Sequence, residues 1–270
     1  MKDYHLHSGL LDHTDDDLRD IIKTVDDIGF EEVAITEHFN FLFAKNPNKI
    51  TEDHDTLFFQ KDLIPNDGRK TTDLTSYFNL IEKLDDEFNL KVLKGLEVDY
   101  FKEYENDIKQ CLSQYKIDIV LGSCHYITCK DIPFLHVGDS DQVSFFIEKF
   151  GERKLYHDYF NNVLWAVKSG LFDYMAHLDL LKKGFKNYDY KKAEPYINKI
   201  LKEMIKRGVG LEINISGLKY TGETYPARNF IKKYQQLGGK NISLGSDSHS
   251  ISRIKKMAPV MEDFSKLIQK

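Results

Sequence analysis

The chain has 270 residues, 41% of them hydrophobic, with 38 Lys+Arg against 43 Asp+Glu and a net charge of -5. That acidic balance excludes a broad surface for the phosphates of long nucleic acid. A mean hydropathy of -0.47, with no apolar run near the ~18–20 residues of a membrane helix, excludes a membrane span. The segment Met1–His5 carries no signal-peptide core, and three cysteines, Cys111, Cys124 and Cys129, are too few for a disulfide framework. The expectation is a cytoplasmic protein whose thiols stay reduced and serve as small core residues. Composition does not shift along the chain, so residues 1–270 read as one domain.

Short β-branched runs alternate with stretches of helical period. The first predicted strand is Tyr4–His7. A helix follows with Leu18, Ile21, Ile22, Val25 and Ile28 on one face, started by Thr14 and Asp17 as a capping box and stopped at Gly29. The second strand is Glu32–Thr36. The segment Phe39–Thr72, with Pro47, Pro65 and Gly68, reads as a long loop, so the loop region spans about 39–73. Tyr77, Leu80, Ile81, Leu84 and Phe88 mark the next helix, and Lys91–Glu97 and Asp118–Ser123 the third and fourth strands. Tyr126–Ser140, with Pro133 and Gly138, reads as a second long loop.

Helix-spaced Tyr156, Phe160, Val163, Leu164 and Val167 precede a fifth strand, Tyr174–His177. Ile197, Ile200, Leu201, Met204 and Ile205 precede a sixth, Val209–Ile213. Thr224-Tyr225-Pro226 reads as a capped helix start with Pro just inside, and Ile242–Gly245 is the seventh strand. Strand–helix alternation predicts a parallel sheet with helices outside it. Seven units suit a closed barrel at least as well as an open sheet.

The histidines mark these strand ends. His5 and His7 close the first strand two residues apart, on one face. His38, Glu97, His125 and His177 lie at the ends of the next four strands in turn, and Asp247 and His249 follow the seventh. His13 comes just after the first strand. In a parallel α/β barrel those ends share the face where sites are built. Seven histidines, one glutamate and one aspartate exceed the three or four ligands of one tetrahedral ion. They suffice for three ions if a carboxylate and a hydroxide bridge. Imidazoles with carboxylates suit Zn, Fe or Mn rather than Ca or Mg, and such clusters serve hydrolysis. His54, His136 and His157 read as surface residues. Phosphate recognition calls for arginine; Arg153, Arg228 and Arg253 follow loops on the site face, with Lys219 a fourth candidate. Arg19 and Arg207 read as helix-surface residues.

On His5-Leu6-His7-Ser8, Thr36-Glu37-His38, Glu97, His125, His177 and Gly245-Ser246-Asp247-Ser248-His249, the chain resembles the polymerase-and-histidinol-phosphatase (PHP) family. It is similar to the family's bacterial histidinol-phosphate phosphatase branch in Gly95–Tyr100, Phe172–Asp179, Glu212–Gly217 and Tyr225-Pro226. The resemblance implies a distorted (β/α)7 barrel of parallel strands with three divalent ions (Zn, Mn, Fe or a mixture) at the strand C-terminal ends. His5, His7, Glu97 and Asp247 would bind the first ion, and Glu97, His125 and His177 the second, with Glu97 bridging. His13, His38 and His249 would bind the third. Glu37 would be a supporting or salt-bridged neighbour of His38.

The implied reaction is hydrolysis of a small phosphomonoester, L-histidinol phosphate, to L-histidinol and phosphate in histidine biosynthesis. Glu97 and Asp247 are the expected catalytic residues, Asp247 also being placed to hold or accept a proton. Asp53, Asp55, Phe58 and Phe59 are candidates for the amine and imidazole of the substrate. The alternatives are a PHP-type phosphatase or nuclease acting on phosphotyrosine or nucleotides, and a non-enzymatic metal-storing barrel. The last leaves the hydroxide position without a purpose.

Overall fold

The computed structural model describes residues 1–8, 16–40, 74–129 and 132–268. Nine strands are present among them: β1 (Lys2–Leu6), β2 (Glu32–Phe39), β3 (Lys91–Asp99), β4 (Ile119–Ser123), β5 (Tyr126–Cys129), β6 (Ile132–His136), β7 (Tyr174–Met175), β8 (Gly210–Asn214) and β9 (Ile242–Gly245). Seven of them form one sheet in the order β1-β2-β3-β4-β7-β8-β9, paired parallel throughout. The two edges meet. Leu6 pairs with Ser248 in a parallel bridge, the His7 amide donates to the Ser248 carbonyl at 3.0 Å, and the Asp247 amide donates to the His5 carbonyl at 2.9 Å. The sheet is therefore a nearly closed barrel, and the open-sheet alternative falls away.

The barrel has two apolar layers because strand side chains alternate in direction. On β2, Val33 and Ile35 join the large core shared with the helices. Ala34 faces the other way and packs with Ile119, Leu121 and Ala176 in a small cluster, flanked by Tyr4, Leu93 and Tyr174. Continuing the same alternation places Thr36 and His38 of β2, and Glu97 of β3, on the inner face. The register pairs His38 directly with Glu97.

The predicted helices are present. Leu18–Ile28 buries Leu18, Ile21, Ile22 and Val25, and Gly29 ends it with a left-handed φ of 93°; a residue with a Cβ is disfavoured there. Asp17 is itself the N-cap, accepting from the Arg19 amide at 2.8 Å, which corrects the assignment of the cap to Thr14. Thr75–Glu87, Glu152–Ser169 and Tyr190–Arg207 cover the other periodic stretches. Among the described residues no helix is long and apolar enough to cross a membrane.

Three expectations change. Tyr126–Ser140 is not a plain loop: β5 and β6 form an antiparallel hairpin that pairs Tyr126 with His136. Pro226 is not inside a helix, because the next helix begins at Arg228 behind Ala227. Backbone pairing of Tyr225 with Asn214 keeps this segment extended, and Thr224 Oγ1 donates to the Pro226 carbonyl at 2.8 Å. The fifth strand is shorter than expected, Tyr174–Met175, since the chain turns at His177 with a φ of 27°. Of the 39–73 loop, only Phe39 and Asn40 belong to the described residues, so Asp53, His54, Asp55, Phe58 and Phe59 lie outside them.

Candidate metal centre

Eight of the nine predicted ligands converge at the C-terminal ends of the strands; the ninth, His13, lies outside the described residues. Glu97 stands at the centre. Its Oε2 is 2.6 Å from His38 Nδ1, 3.4 Å from His5 Nε2 and 3.8 Å from His7 Nε2. Its Oε1 is 2.6 Å from His177 Nε2 and 3.3 Å from His125 Nε2. Asp247 Oδ1 lies 3.5 Å from His7 Nε2, 3.7 Å from His249 Nδ1 and 3.9 Å from His5 Nε2. The imidazoles also touch one another: His7 stacks on His249 at 4.1 Å and meets His38 at 4.3 Å, while His125 meets His177 at 4.9 Å.

Ligand atoms close enough to share an ion fall into overlapping groups. These are His7, His38 and His249; His5, His7 and Glu97; His5, His177 and Asp247; and His38, Glu97 and His125. Residues recur between groups, as expected of a centre whose ions share ligands. Two of the residues pay a backbone cost to be there, with left-handed φ values of 27° at His177 and 53° at Asp247. Such conformations are uncommon outside glycine and cluster at functional sites.

The charges are mutually adapted. Burial alone would raise the Glu97 carboxyl, but the imidazoles of His38, His125 and His5 outweigh it and hold it well below the carboxylate range. Asp247 follows the same pattern: burial raises it, while His5, His7 and His249 bring it well below. The donor chemistry fits divalent metal. Among the described residues His5 Nε2 is buried without a hydrogen bond, a costly state for a polar atom unless an ion completes it.

Sequence reasoning missed the layer behind these residues. Glu212 Oε1 lies 2.6 Å from His5 Nδ1, and Glu212 Oε2 accepts from the His177 amide at 2.7 Å. Asp99 Oδ1 lies 2.9 Å from His125 Nδ1 and accepts the His125 amide at 3.1 Å. Asn214 Nδ2 and Ser216 Oγ donate to Asp247 Oδ2 at 3.2 and 3.0 Å. Asp3, pushed up to about 7 by burial, accepts the amides of His5 and Ser246. Glu37 is buried and accepts from the Ser8 amide at 2.6 Å and from the Ser8 hydroxyl, as a supporting neighbour of His38 would. The available signal was parity, since Asp99 shares the inner face with Glu97 two residues earlier.

His136 is not the surface residue expected. The hairpin stacks it 6.4 Å from the His125 ring and 5.2 Å from Tyr126, and burial lowers its pKa to about 4. His157 is exposed beside Asp158. The basic candidates differ among themselves. Arg153 is exposed, and Arg228 is exposed with its guanidinium 5.8 Å from the Phe264 ring. Arg253, on the first turn of the helix Ile251–Ile268, is half-buried, and its Nη2 is buried without a hydrogen-bond partner among the described residues. Lys219 is exposed, 4.8 Å above the Tyr220 ring, and Lys183 approaches the same ring at 4.4 Å.

A barrel of seven parallel strands with imidazoles and carboxylates gathered at its C-terminal face defines an α/β-barrel protein built to hold divalent metal. The chain belongs to the PHP domain family, matched over residues 3–216. It is 27% identical to the histidinol-phosphatase of Bacillus subtilis over 267 residues, 92% of this chain and 93% of that one. The fold matches that of hisK from Listeria monocytogenes with a TM-score of 0.79 at 23% identity, over 94% of this chain and 97% of that one. It also matches the histidinol phosphate phosphatase of Lactococcus lactis, solved with Zn, L-histidinol and phosphate. There the TM-score is 0.68 at 21% identity, over 97% of this chain and 92% of that one.

Proposed function

We propose that this protein is a metal-dependent phosphomonoesterase that hydrolyses L-histidinol phosphate to L-histidinol and phosphate, serving histidine biosynthesis in the cytoplasm. The observation that carries the reading is Glu97, a fully buried carboxylate with five imidazoles within 3.8 Å of its two oxygens. Nothing in an apolar core calls for that arrangement, whereas a bridging ligand of a multinuclear centre does. The particular substrate is supported by likeness, along nearly the whole chain, to a relative called histidinol-phosphatase and to a structure holding L-histidinol and phosphate.

In this reading residues 1–270 work as one barrel. His5, His7, Glu97 and Asp247 hold one ion; Glu97, His125 and His177 a second; His13, His38 and His249 a third. Such ions, Zn, Mn, Fe or a mixture, supply a nucleophile at neutral pH and neutralise phosphoryl charge. The chain's own part is positioning. Asp247 is pinned at Oδ2 by Asn214 and Ser216, which leaves Oδ1 to take a proton from the attacking water. Arg253, whose buried Nη2 has no hydrogen-bond partner among the described residues, would donate to a phosphate oxygen, with the exposed Lys219, Arg153 and Arg228 as the other basic candidates.

The test is phosphate release by metal-loaded protein from L-histidinol phosphate, aryl phosphates, phosphotyrosine, nucleoside monophosphates and phosphodiesters. The expected result is the highest kcat/KM on L-histidinol phosphate. A nucleotide or diester turned over ~100-fold better, a preference as large as pocket contacts usually give, overturns the assignment in favour of a nucleotidase or nuclease.

A further inference from the structure

Strand β8 is the one barrel strand whose end carries none of the predicted ligands, yet it lies between β7, which leads to His177, and β9, which leads to Asp247 and His249. Its register sets Glu212 against Ser243, and the Glu212 side chain is buried inside the barrel. A buried carboxylate is costly unless its oxygens are satisfied. Here Oε1 lies 2.6 Å from His5 Nδ1, across the seam where the barrel closes, and Oε2 accepts the backbone amide of His177 at 2.7 Å.

We propose that Glu212 is the positioning residue of the metal centre. One carboxylate fixes His5 as its Nδ1–H form, with Nε2 as the ligand atom, and clamps the left-handed turn that aims His177. Resting on the metal-binding half of the proposed function, this inference is independent of which ester is the substrate. With the proton held on Nδ1, the His5 lone pair sits on Nε2, which points at Glu97 Oε2 (3.4 Å) and Asp247 Oδ1 (3.9 Å) and has no hydrogen bond among the described residues. The second oxygen offsets the strain of a φ of 27° at His177 by binding the amide that the turn frees.

Gly245 bears independent witness to the space this carboxylate needs. A Cβ there would lie 2.2 Å from Glu212 Oε1 and 2.6 Å from the His5 Cβ, so any larger residue at 245 displaces the pair. Two residues along β8 on the same face, Asn214 holds Asp247. The strand without ligands thus orients those on both sides of it.

The test is Glu212→Gln, nearly isosteric with the native side chain. Glutamine offers one acceptor and one NH2 where both native partners are donors. An NH2 facing His5 forces the proton onto Nε2, and an NH2 facing His177 sets donor against donor. Loss of an orienting partner of this kind typically costs 10–100-fold in metal affinity. Zinc affinity by chelator competition and ions bound per chain by elemental analysis should fall accordingly, with the far-UV spectrum unchanged. Activity at limiting zinc should fall, excess zinc should restore it in part, and KM for substrate should stay constant. A purely structural role moves the melting temperature without a metal-rescuable loss.

Gly245→Ala, which displaces the same carboxylate from the other side, should give the same zinc deficit, and it serves if Glu212→Gln fails to fold. Wild-type zinc affinity and stoichiometry in the folded variants overturn the role of Glu212. A wild-type protein that takes up no divalent metal overturns the centre itself. A wild-type protein that binds zinc but spares L-histidinol phosphate overturns only the substrate.

Discussion

Glu97→Gln removes one charge and leaves the shape of the most connected side chain in the site. Both Glu97 oxygens are buried, and their imidazole neighbours lie at 2.6 to 3.8 Å. At a mean separation near 3.1 Å and an effective dielectric of about 20, a unit charge pair there is worth about 5 kcal/mol. A carboxylate bridging two divalent ions interacts with both, so halving this figure for solvent and relaxation still leaves about 2.5 kcal/mol per ion. At 1.4 kcal/mol per decade, the variant should bind each of two ions more weakly by about 50-fold or more. Elemental analysis after gel filtration should find fewer ions per chain, and kcat/KM should drop by at least about 10³-fold with excess metal present. His249→Ala is the matched comparison. The His249 side chain is 42% exposed against 0% for Glu97, and its loss should cost less in both measurements. A Glu97→Gln protein with wild-type metal content and kcat/KM would refute a bridging Glu97. Equal losses in the two variants would refute its centrality.

Chelation should abolish phosphatase activity, and Zn, Mn, Fe or Co should restore it to different levels; full activity in protein shown metal-free by elemental analysis sinks the metal mechanism. Arg253→Ala should lower kcat/KM by about 10²-fold with metal content unchanged, the usual cost of one donor to developing charge; wild-type kcat/KM would shift phosphate anchoring to Lys219 or the metals. Lys182→Met should destabilise the fold by about 3–5 kcal/mol, because it leaves a buried carboxylate unpaired: Lys182 Nζ lies 3.1 Å from Asp179 Oδ2, with both side chains buried. Burial already raises the Asp179 pKa against the lowering pull of Lys182, and losing that pull raises it further. A carboxyl with a raised folded pKa loses stability as pH climbs from its unfolded value, about 3.9, through the folded one. In chelated protein, the urea-melt deficit relative to wild type should therefore be larger at pH 7 than near pH 4, and a deficit independent of pH would contradict the buried pair.

The barrel and the convergence of eight candidate ligands were legible because both follow from strand parity. The side chains that close the strands of a parallel barrel share one rim, and six of the seven strands deliver a candidate ligand there. What stayed hidden depends on contacts distant in sequence. The proline and glycine in Tyr126–Ser140 suggested a loop, yet the β-branched and aromatic run Tyr126-Ile127-Thr128 found a partner strand, and that register carried His136 onto His125. Pro226 suggested a helix start, but backbone pairing of Tyr225 with Asn214 took precedence over local propensity. The orienting carboxylates were hardest to see. An isolated Glu or Asp in a strand resembles the ordinary polar half of an alternating pattern, and Glu212 meets His5 across 207 residues. Candidate ligands announce themselves by type, whereas a partner such as Glu212 is defined only once the barrel closes and brings it to His5. The inner face of β8 had to carry something other than a hydrophobe, because it borders the ends of β7 and β9, which lead to candidate ligands, and, across the seam, His5. A carboxylate with two acceptors satisfies both neighbouring donors at once, which an amide cannot do.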